Sequence, residues 1–593
     1  MSDNFINPDE QSKPSDQLKN FRQTLLVLGK IIYPYRFSFL WGISLIFFSS
    51  VAIVFSGKFL GLLISQGISV KNKLMSLQYA IGLLILELSA LLLNWWGRTI
   101  LLKASSLSIH QVRLAMISHL QKLPISYFDK TPQGRLIVRL GHDIESVESF
   151  LNKGLGYLLT AFLTAIVTCL ALVILIPFPG IFVAISSLPA WLFIFFTQKK
   201  LREIDRLIST SSAQVNAGLS ENIEGIEVIK SYNLENWSLR EFQKKTGLFL
   251  KNYLKALKFF ITTRPVLGFV CGLPVVVALG LGGLMSLQGT LETALAIALL
   301  RYAENFYRPL MELGMEVLEL QNALTNVERF SLFLETPADK DLTLTPSTPI
   351  PLKDIKGSIL FKSVSFRYGK NSLPALQGLS FSIKAGEKIG IVGATGSGKT
   401  TTISLLARLY DFQEGEILID EHPLSLFSKE NIPELIGMVS QEAVIFASSI
   451  WNNLCLGKKF DKSHVEKIAQ ETGLIESLNR SQKTLYSSLY EGGKDLSTGQ
   501  RQILALTRVL LHGGKIIILD EATSNIDHDS EQLIKKALNN FFKHQTCLIV
   551  AHRLETLQSC DRIFFFKEGK LLEERTSLSA EEFIQLKNNS MIE

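Results

Sequence analysis

The fold of the second half of this chain is decided by the stretch Gly393-Ala394-Thr395-Gly396-Ser397-Gly398-Lys399-Thr400. This stretch matches the phosphate-binding loop pattern G-x-x-x-x-G-K-[ST]. The apolar run 387–392 before it predicts a strand, and residues 401–409 after it predict a helix. Glycines allow backbone N–H groups to turn inward around phosphate oxygens, and the helix N-terminus adds its positive dipole end. A chance Gly/Ser-rich turn would not have both flanking elements, so the stretch predicts a site for a nucleoside triphosphate.

The side chains of this loop suit ATP and Mg²⁺. Lys399 is expected to reach the β- and γ-phosphates, and the hydroxyl of Thr400 is expected to hold Mg²⁺. The other loop residues and the next helix residue complete the predicted ATP contacts: Gly393, Ala394, Thr395, Gly396, Ser397, Gly398 and Thr401.

A second phosphate-handling element lies downstream. Residues 515–521 form an apolar run that ends in two carboxylates, Asp520 and Glu521. This pattern is typical of a buried parallel strand whose carboxyl end faces a ligand. Asp520 is expected to hold Mg²⁺ directly or through water, and Glu521 to polarise the attacking water. Two acids after a strand are more often the start of a solvated loop, but together with the phosphate loop they indicate catalysis.

The composition of this 593-residue chain is uneven. Hydrophobic residues make up 47% of it and concentrate in the first half, whereas the second half is typical of a soluble α/β domain. The formal charge of +7 arises beside apolar spans, which makes nucleic-acid binding the weaker interpretation. The five cysteines have no disulfide or zinc spacing, and residues 1–20 lack the apolar core of a signal peptide.

Six stretches approach or exceed the length that a helix needs to cross a bilayer, about 20 residues. They cover roughly Phe37–Leu63, Leu77–Trp96, Gly154–Ile176, Ile181–Thr197, Phe259–Leu287 and Leu291–Leu313. The third and fourth are expected to join through a tight turn at Pro177–Gly180.

Lysine and arginine predict the orientation of these spans. Five lie in the N-terminal tail, eight between spans two and three, and eleven between spans four and five, whereas the alternate connections hold only Lys71 and Lys73. The positive-inside rule therefore places the N-terminus, both long connections and the C-terminal domain in the cytoplasm. Each long connection is expected to extend a membrane helix into the cytoplasm and to bend at its tip.

These patterns predict a fold and a domain order. The fold class is an α-helical six-span membrane domain followed by an α/β P-loop NTPase domain. The expected boundaries are a cytoplasmic segment 1–36, a membrane domain 37–335, a Pro/Thr-rich linker 336–357 and an ATP-binding domain 358–593.

Further motifs stand in a characteristic order along the C-terminal domain: Tyr368, Gln441, Leu496-Ser497-Thr498-Gly499-Gln500, Asp527 and His552. In this order they resemble the ABC transporter family, specifically half-size exporters with fused membrane and ATPase domains. The resemblance implies that Tyr368 stacks on adenine and that Gln441 senses Mg²⁺ and the attacking water. It identifies Ser497, Thr498, Gly499 and Gln500 with the signature, which caps the γ-phosphate of ATP held by the opposite subunit. Asp527 matches the loop that communicates between the two sites, and His552 matches the switch histidine on the γ-phosphate.

The resemblance also implies an activity, which is ATP-driven export of an unidentified amphipathic substrate such as a lipid, drug or peptide. The working protein is then a homodimer, or a heterodimer with a second half-transporter, in contact with membrane lipid in the bacterial inner membrane. Residues 128–135 and 221–230 resemble the regions of two coupling helices, and Glu491-Gly492-Gly493 resembles the loop that contacts such helices. A membrane ATPase with a sensory or regulatory role is the alternative.

The signature departs from the family pattern at Thr498, where a glycine is usual. A glycine lets the backbone approach a phosphate closely, whereas threonine adds a stiff β-branched side chain. The substitution predicts a weakened phosphate contact in the partner's site. Whether the partner is identical or distinct stays open at this point.

The second and sixth spans carry charged residues at membrane depth. Arg301, Glu304 and Asn305 lie on one side of the sixth span, and Glu87 lies midway along the second. Such residues commonly face a bundle interior or a watery cavity, which indicates a transport pathway. Mutual neutralisation of Arg301 and Glu304 at helical pair spacing explains them equally well.

Overall fold

The computed structural model describes residues 26–339, 352–369, 372–428, 431–520, 532–533, 536, 545–550 and 557–576. The chain divides into two units, Met1–Gln121 with Gln133–Thr336, and Lys122–Pro132 with Pro337–Glu593. The short segment Lys122–Pro132 therefore interrupts the first unit in sequence and belongs to the second.

The first unit is helical because its spans are long and apolar, and a helix satisfies every backbone group within lipid. Turns of π-helix at Leu63–Ile68, Arg139–Asp143 and Phe150–Gly154 continue or join the α-helices. In chain order the α-helices are α1 (Arg36–Leu62), α2 (Lys73–Leu120), α3 (Ile125–Lys130, in the second unit), α4 (Gln133–Val138), α5 (Ile144–Ser149), α6 (Leu155–Leu175), α7 (Pro177–Ile185), α8 (Leu188–Glu224), α9 (Ile226–Ser231), α10 (Glu235–Leu287) and α11 (Thr293–Leu334).

Several of these helices are much longer than a membrane is thick. Helices α2, α8 and α10 contain 48, 37 and 53 residues. At 1.5 Å per residue α10 extends about 80 Å, whereas the hydrocarbon core is about 30 Å thick. These helices are long enough for the predicted extensions beyond the membrane, which stay a prediction, and the short helix α9 lies between α8 and α10.

Five helical stretches in the described part of the chain are long and apolar enough to cross a membrane. They are Leu26–Ile68, Lys73–Leu120, Gln133–Leu175, Pro177–Glu224 and Glu235–Leu287. The expected sixth span, which carries Arg301 and Glu304, lies on α11 and is not among them. The count of six spans stays a prediction.

The expected tight turn at Pro177–Gly180 is wrong. Pro177 opens helix α7, and the chain bends one residue earlier, at Ile176, whose φ and ψ are −140° and 66°. Proline fits this first helical position because its missing N–H would have no partner within the helix.

Helices α1 and α11 approach each other closely at Gly61. A β-carbon on Gly61 would lie 2.1 Å from the carbonyl oxygen of Ala294, a backbone atom. Helices α1 and α2 meet in a similar way, since a β-carbon on Gly97 would lie 2.9 Å from the carbonyl oxygen of Gly42. Small residues allow this packing within a membrane, where burial from water does not drive helices together.

We expect Gly61→Ala to lower the apparent melting temperature of the purified protein. Overpacking costs about 1–3 kcal/mol, and the roughly 1 kcal/mol that alanine gains over glycine in helix propensity offsets only part of it. Gly283→Ala is the matched control because nothing lies within 4 Å of a β-carbon at that position. Equal melting temperatures for the two variants, measured in the same detergent, would contradict the close approach at Gly61.

The second unit is an α/β domain with two sheets. Its strands are β1 (Ile359–Phe366), β2 (Leu376–Ile383), β3 (Lys388–Gly393), β4 (Glu414–Ile419), β5 (His422–Pro423), β6 (Ile436–Val439), β7 (Ile516–Asp520), β8 (Thr546–Val550), β9 (Arg562–Lys567) and β10 (Lys570–Arg575). Its further α-helices are α12 (Lys399–Leu406), α13 (Ile432–Leu435), α14 (Ile450–Cys455), α15 (Lys462–Glu471), α16 (Leu474–Arg480) and α17 (Thr498–His512).

The larger sheet has the strand order β10-β9-β3-β8-β7-β6, and all its strands except β10 run parallel. Strands β7 and β8 are buried along their whole length, which explains their continuous apolar sequences. The smaller sheet, β2-β1-β4-β5, is antiparallel and packs on the larger through Phe381. The ring centroid of Phe381 lies 4.4 Å from that of Phe361 in the same sheet and 5.3 Å from that of Phe564 in the larger sheet. The parallel strands end at one edge of the sheet, and the candidate site lies there.

Candidate nucleotide site

The phosphate loop connects the end of β3 to the start of α12. Gly396 and Gly398 have φ values of +77° and +103°, in the left-handed region that glycine adopts without strain. Gly393 closes the loop tightly, because a β-carbon there would lie 2.5 Å from both the Ser397 hydroxyl and the Phe566 carbonyl oxygen. The backbone therefore has the conformation that the sequence motif predicts.

The polar side chains of the loop fit a bound phosphate group. The Ser397 hydroxyl is buried and has no hydrogen-bond partner within the described residues. Lys399 is only 7% exposed, and its ammonium donates to the carbonyl oxygens of Gly393 and, at 3.1 Å, of Ala394. The buried ammonium and the unsatisfied Ser397 hydroxyl are both donors of the kind that bind phosphate oxygens.

Tyr368, the predicted adenine-stacking residue, is held by its neighbours and remains 43% exposed. Its hydroxyl shares a 3.0 Å hydrogen bond with Thr401 on α12. Its ring packs edge-on against Phe366 and Tyr410, with centroid distances of 4.9 and 5.2 Å. The exposed ring is therefore oriented next to the phosphate loop, as a stacking surface for a base requires.

Tyr410 connects this aromatic group to segment Lys122–Pro132. Its hydroxyl donates a hydrogen bond to the carboxylate of Asp129 on α3. Burial and the Asp129 carboxylate both raise the pKa of Tyr410, so its hydroxyl stays protonated as the donor. Residues 122–132, which precede and include part of the predicted coupling region, thus reach the aromatic residues beside the phosphate loop within the second unit.

The register of the sheet brings the predicted metal-binding residues to one edge. Strand β7 ends at Asp520, which is 8% exposed, and its neighbour β6 ends at Val439, two residues before Gln441. Thr400, the second residue of α12, is exposed. Within the described ranges no three His, Cys, Asp or Glu residues form a metal cluster. One carboxylate with hydroxyl and amide oxygens fits Mg²⁺, which takes many of its ligands from phosphates and water.

Helix α17 fixes the backbone of the loop that follows β6 at this edge of the sheet. The side chain of Gln502, 4% exposed, donates to the Gln441 carbonyl oxygen at 2.6 Å. Arg508, one and a half turns further along, donates to the carbonyl oxygens of Asn453 and Val444 at 2.7 and 3.1 Å. The loop that carries Gln441 is therefore fixed to the helix that begins with the signature.

The signature residues form the N-terminus of α17. Ser497 is its N-cap and makes a capping box with Gln500, with hydrogen bonds of 3.1 Å and 3.0 Å. The Gln500 amide also donates to Ser477 and Ser481, which fixes the first turn against α16 and the turn after it. Thr498 is exposed and Gly499 is buried.

Three predicted catalytic and communicating residues, Glu521, Asp527 and His552, lie outside the described residues. The strands that precede Glu521 and His552 are described, and they are neighbours in the sheet with Asp520 opposite Val550. The roles of these residues stay predictions from the sequence.

The charged residues of the first unit form a network between helices. Arg301 donates to Glu87 at 3.4 Å and to Glu304 at 3.2 Å, which joins α11 to α2. The Ser56 hydroxyl of α1 donates to the same oxygen of Glu87 at 2.8 Å. The side-chain amide nitrogen of Asn305 is buried and has no partner within the described part of the chain. The predicted pairing exists, while pathway lining stays a prediction.

Two family models match the chain. The model described as the ABC transporter transmembrane region matches residues 37–310, and the one described as ABC transporter matches residues 376–524. The chain belongs to the ABC transporter family.

Similar proteins agree with this membership. The ABC transporter ATP-binding protein YknU of Bacillus subtilis, itself uncharacterized, is 31% identical over 79% of this chain and 80% of its own length. The ATP-dependent lipid A-core flippase of Hahella chejuensis is 30% identical over 78% of this chain and 79% of its own. The structure of a bacterial Atm1-family ABC exporter with ATP bound has a TM-score of 0.76 at 20% identity, over 95% of this chain and 97% of that one.

This transporter is a half-size ABC exporter, an integral membrane protein that couples ATP hydrolysis to transport. Apart from the number of spans, the predicted fold class is confirmed by the family models and by the likeness to the Atm1-family fold.

Sequence reasoning missed Tyr410 and Gln502, although both help to build the exporter's ATP site. Tyr410 lies just beyond the phosphate-loop helix, where an aromatic residue has no distinctive spacing. Its partner Asp129 is 281 residues away in sequence, and the partner of Gln502 is 61 residues away. No local pattern could have revealed such pairs.

Two Tyr410 variants separate its ring from its hydroxyl. We expect Tyr410→Ala to raise the KM for ATP by about two- to tenfold, because Tyr368 loses an aromatic neighbour worth about 0.5–1.5 kcal/mol. Tyr410→Phe keeps the ring and should leave the KM close to that of the unchanged protein. The measurement is steady-state ATPase activity against ATP concentration. Equal KM values for both variants would show that the ring of Tyr410 does not position Tyr368.

Proposed function

We propose that this chain exports an amphipathic substrate, such as a lipid, drug or peptide, from the cytoplasm or the inner leaflet. A relative named for transport supports this, since the lipid A-core flippase of Hahella chejuensis is 30% identical over 78% of this chain. A charged network within apolar helices supports it as well, because such residues in transporters commonly mark a route for polar groups.

In the proposed ATP site, each residue has one role. Lys399 and the loop N–H groups hold the phosphates, Tyr368 holds the base, and the Ser397 hydroxyl completes the phosphate contacts. Thr400, Asp520 and Gln441 would hold Mg²⁺, which neutralises charge on the phosphate oxygens when bound. Glu521 orients and deprotonates the attacking water, and His552 contacts the γ-phosphate. Asp527 communicates between the two sites.

The proposed cycle requires two subunits. Ser497, Gly499 and Gln500 of one subunit close over the ATP held by the other, and hydrolysis releases them. The partner is a second copy of this chain or a distinct half-transporter. The charge asymmetry of the connections and the bacterial relatives support the bacterial inner membrane as the location, with the ATPase domain in the cytoplasm.

The contact between Asp129 and Tyr410 supports a coupling role for segment Lys122–Pro132. This segment belongs to the unit that binds ATP, although it lies between two predicted spans in sequence. Motion of the ATPase domain would therefore act on both helices that flank the segment. Neither the comparisons nor the described residues support the alternative sensory role.

We expect Glu521→Gln to bind ATP normally and to hydrolyse it about 10²-fold or more slowly, the usual loss for removal of a general base. ATP binding and steady-state hydrolysis by the purified protein measure the two effects. Glu466→Gln is a matched control, because Glu466 lies on the exposed side of α15 and pairs there with Lys462. Unchanged hydrolysis in the Glu521 variant would remove this residue from its catalytic role.

Transport itself is tested with the purified protein in proteoliposomes. Fluorescent lipids, cationic and neutral drugs, and short peptides are followed across the bilayer with ATP, and the Glu521→Gln protein serves as the background. We expect ATP-dependent movement of at least one of these classes. ATP hydrolysis without movement of any probe would count against the exporter and in favour of the regulatory alternative.

A further inference from the structure

The departure from the signature pattern at Thr498 is tied to a neighbouring arginine. The Arg501 guanidinium turns back along α17, and its Nη2 donates to the Thr498 hydroxyl at 3.2 Å. Its Nη1 also faces the carbonyl oxygens of Leu496 and Gly493, at the longer distances of 3.4 and 3.5 Å. Residues 498 and 501 are one helical turn apart and lie on the same face, which explains the contact. A glycine at position 498 could not make it.

The positive charge of Arg501 lies close to the N-terminus of α17. The N-terminus of a 15-residue helix carries partial positive charge, so a cation in its first turns is unfavourable unless an anion is near. The first turn of α17 contains no acidic residue. Within the described residues Arg501 forms no ion pair, and the nearest acid before it in sequence, Asp495, is paired with Lys483. The guanidinium and the helix N-terminus together form a positive site that has no acidic partner among the residues that the structure describes.

The donors at this site suit a terminal phosphate. The backbone N–H groups of Thr498 and Gly499, the first two of the helix, have no intrahelical acceptors. Ser497 uses an oxygen lone pair to cap Gln500, and its O–H is still available as a donor. The guanidinium supplies further donors in a fork that matches phosphate geometry.

We propose that Arg501 is a ligand of the γ-phosphate of the ATP held by the second subunit, and that Thr498 positions it. Thr498 then strengthens this signature instead of weakening it, and two copies of this chain form two working ATP sites. The proposal rests on the proposed function, in which the signature faces the partner's ATP. It replaces the expectation that the Thr498 side chain only obstructs the phosphate.

The restricted rotamers of threonine help to position Arg501 in this arrangement. Its branched β-carbon restricts the side chain to few rotamers, so the hydroxyl holds the guanidinium in one place. Serine retains the hydroxyl, and valine retains the shape without it. These two substitutions separate the hydrogen bond from the steric effect of the side chain.

The test uses the full-length chain, purified alone in nanodiscs, with ATPase rates measured across ATP concentrations. We expect the unchanged chain to hydrolyse ATP. Thr498→Val and Arg501→Ala should each lower kcat/KM about tenfold, as expected for the loss of a charge-assisted hydrogen bond to phosphate. The double variant should be no worse than either single variant, and Thr498→Ser should be close to the unchanged chain. Thr498→Val leaves the Arg501 contacts with Leu496 and Gly493 in place, so its effect cannot arise from loosening of that loop.

Several outcomes would overturn the proposal. A chain that binds ATP but does not hydrolyse it alone would show that the Thr498 signature is not competent. Full activity in Thr498→Val or Arg501→Ala, or multiplied losses in the double variant, would show that the two residues do not act together on the phosphate. Lys399→Ala separates these outcomes from failure of the proposed function: it should abolish ATP hydrolysis, and normal hydrolysis in that variant would refute the ATP site itself.

Discussion

The structure of the ATPase domain depends on one constraint, the common direction of strands β3, β8, β7 and β6. Parallel strands in one sheet end at the same edge, so residues that are far apart in sequence lie close together there. Gly393 ends β3, Asp520 ends β7, and Gln441 follows β6. Buried apolar residues fix the register of these strands. A slip of one residue in β7 would turn Asp520 to the other face of the sheet and separate it from the phosphate loop.

Helix α17 joins the loop that carries Gln441 to the signature residues. Its first turn presents the signature, its second turn binds the Gln441 backbone through Gln502, and Arg508 binds the loop after Gln441. Because one short helix joins the two places, we expect a change at Gln441 and a change at the signature to be coupled. Burial of Gln500 and Gln502 makes the linkage strong, because a buried polar group that loses its partner costs about 1–3 kcal/mol.

The sequence predicts those parts of the fold and site that depend on local pattern. The phosphate loop, its flanking strand and helix, and the long apolar helices follow from composition and spacing within short windows. Arg501, Gln502 and Tyr410 were not predicted, because their roles depend on partners brought close by the fold or on the rotamer of one side chain. The turn at Pro177 was misplaced because proline starts helices as readily as it forms turns.

The two halves of the ATP site contribute differently to the proposed cycle. The phosphate loop, Tyr368 and Asp520 belong to one subunit, and in the proposal they bind ATP whether or not the second subunit is engaged. A ligand that binds two states equally shifts neither, however tightly it binds. Only contacts that exist in the closed state alone can convert ATP binding into closure, and in the proposed cycle those contacts come from the opposite signature. In the proposed cycle, the chemistry of residues 497–501 therefore sets how much of the ATP binding energy can reach the membrane helices.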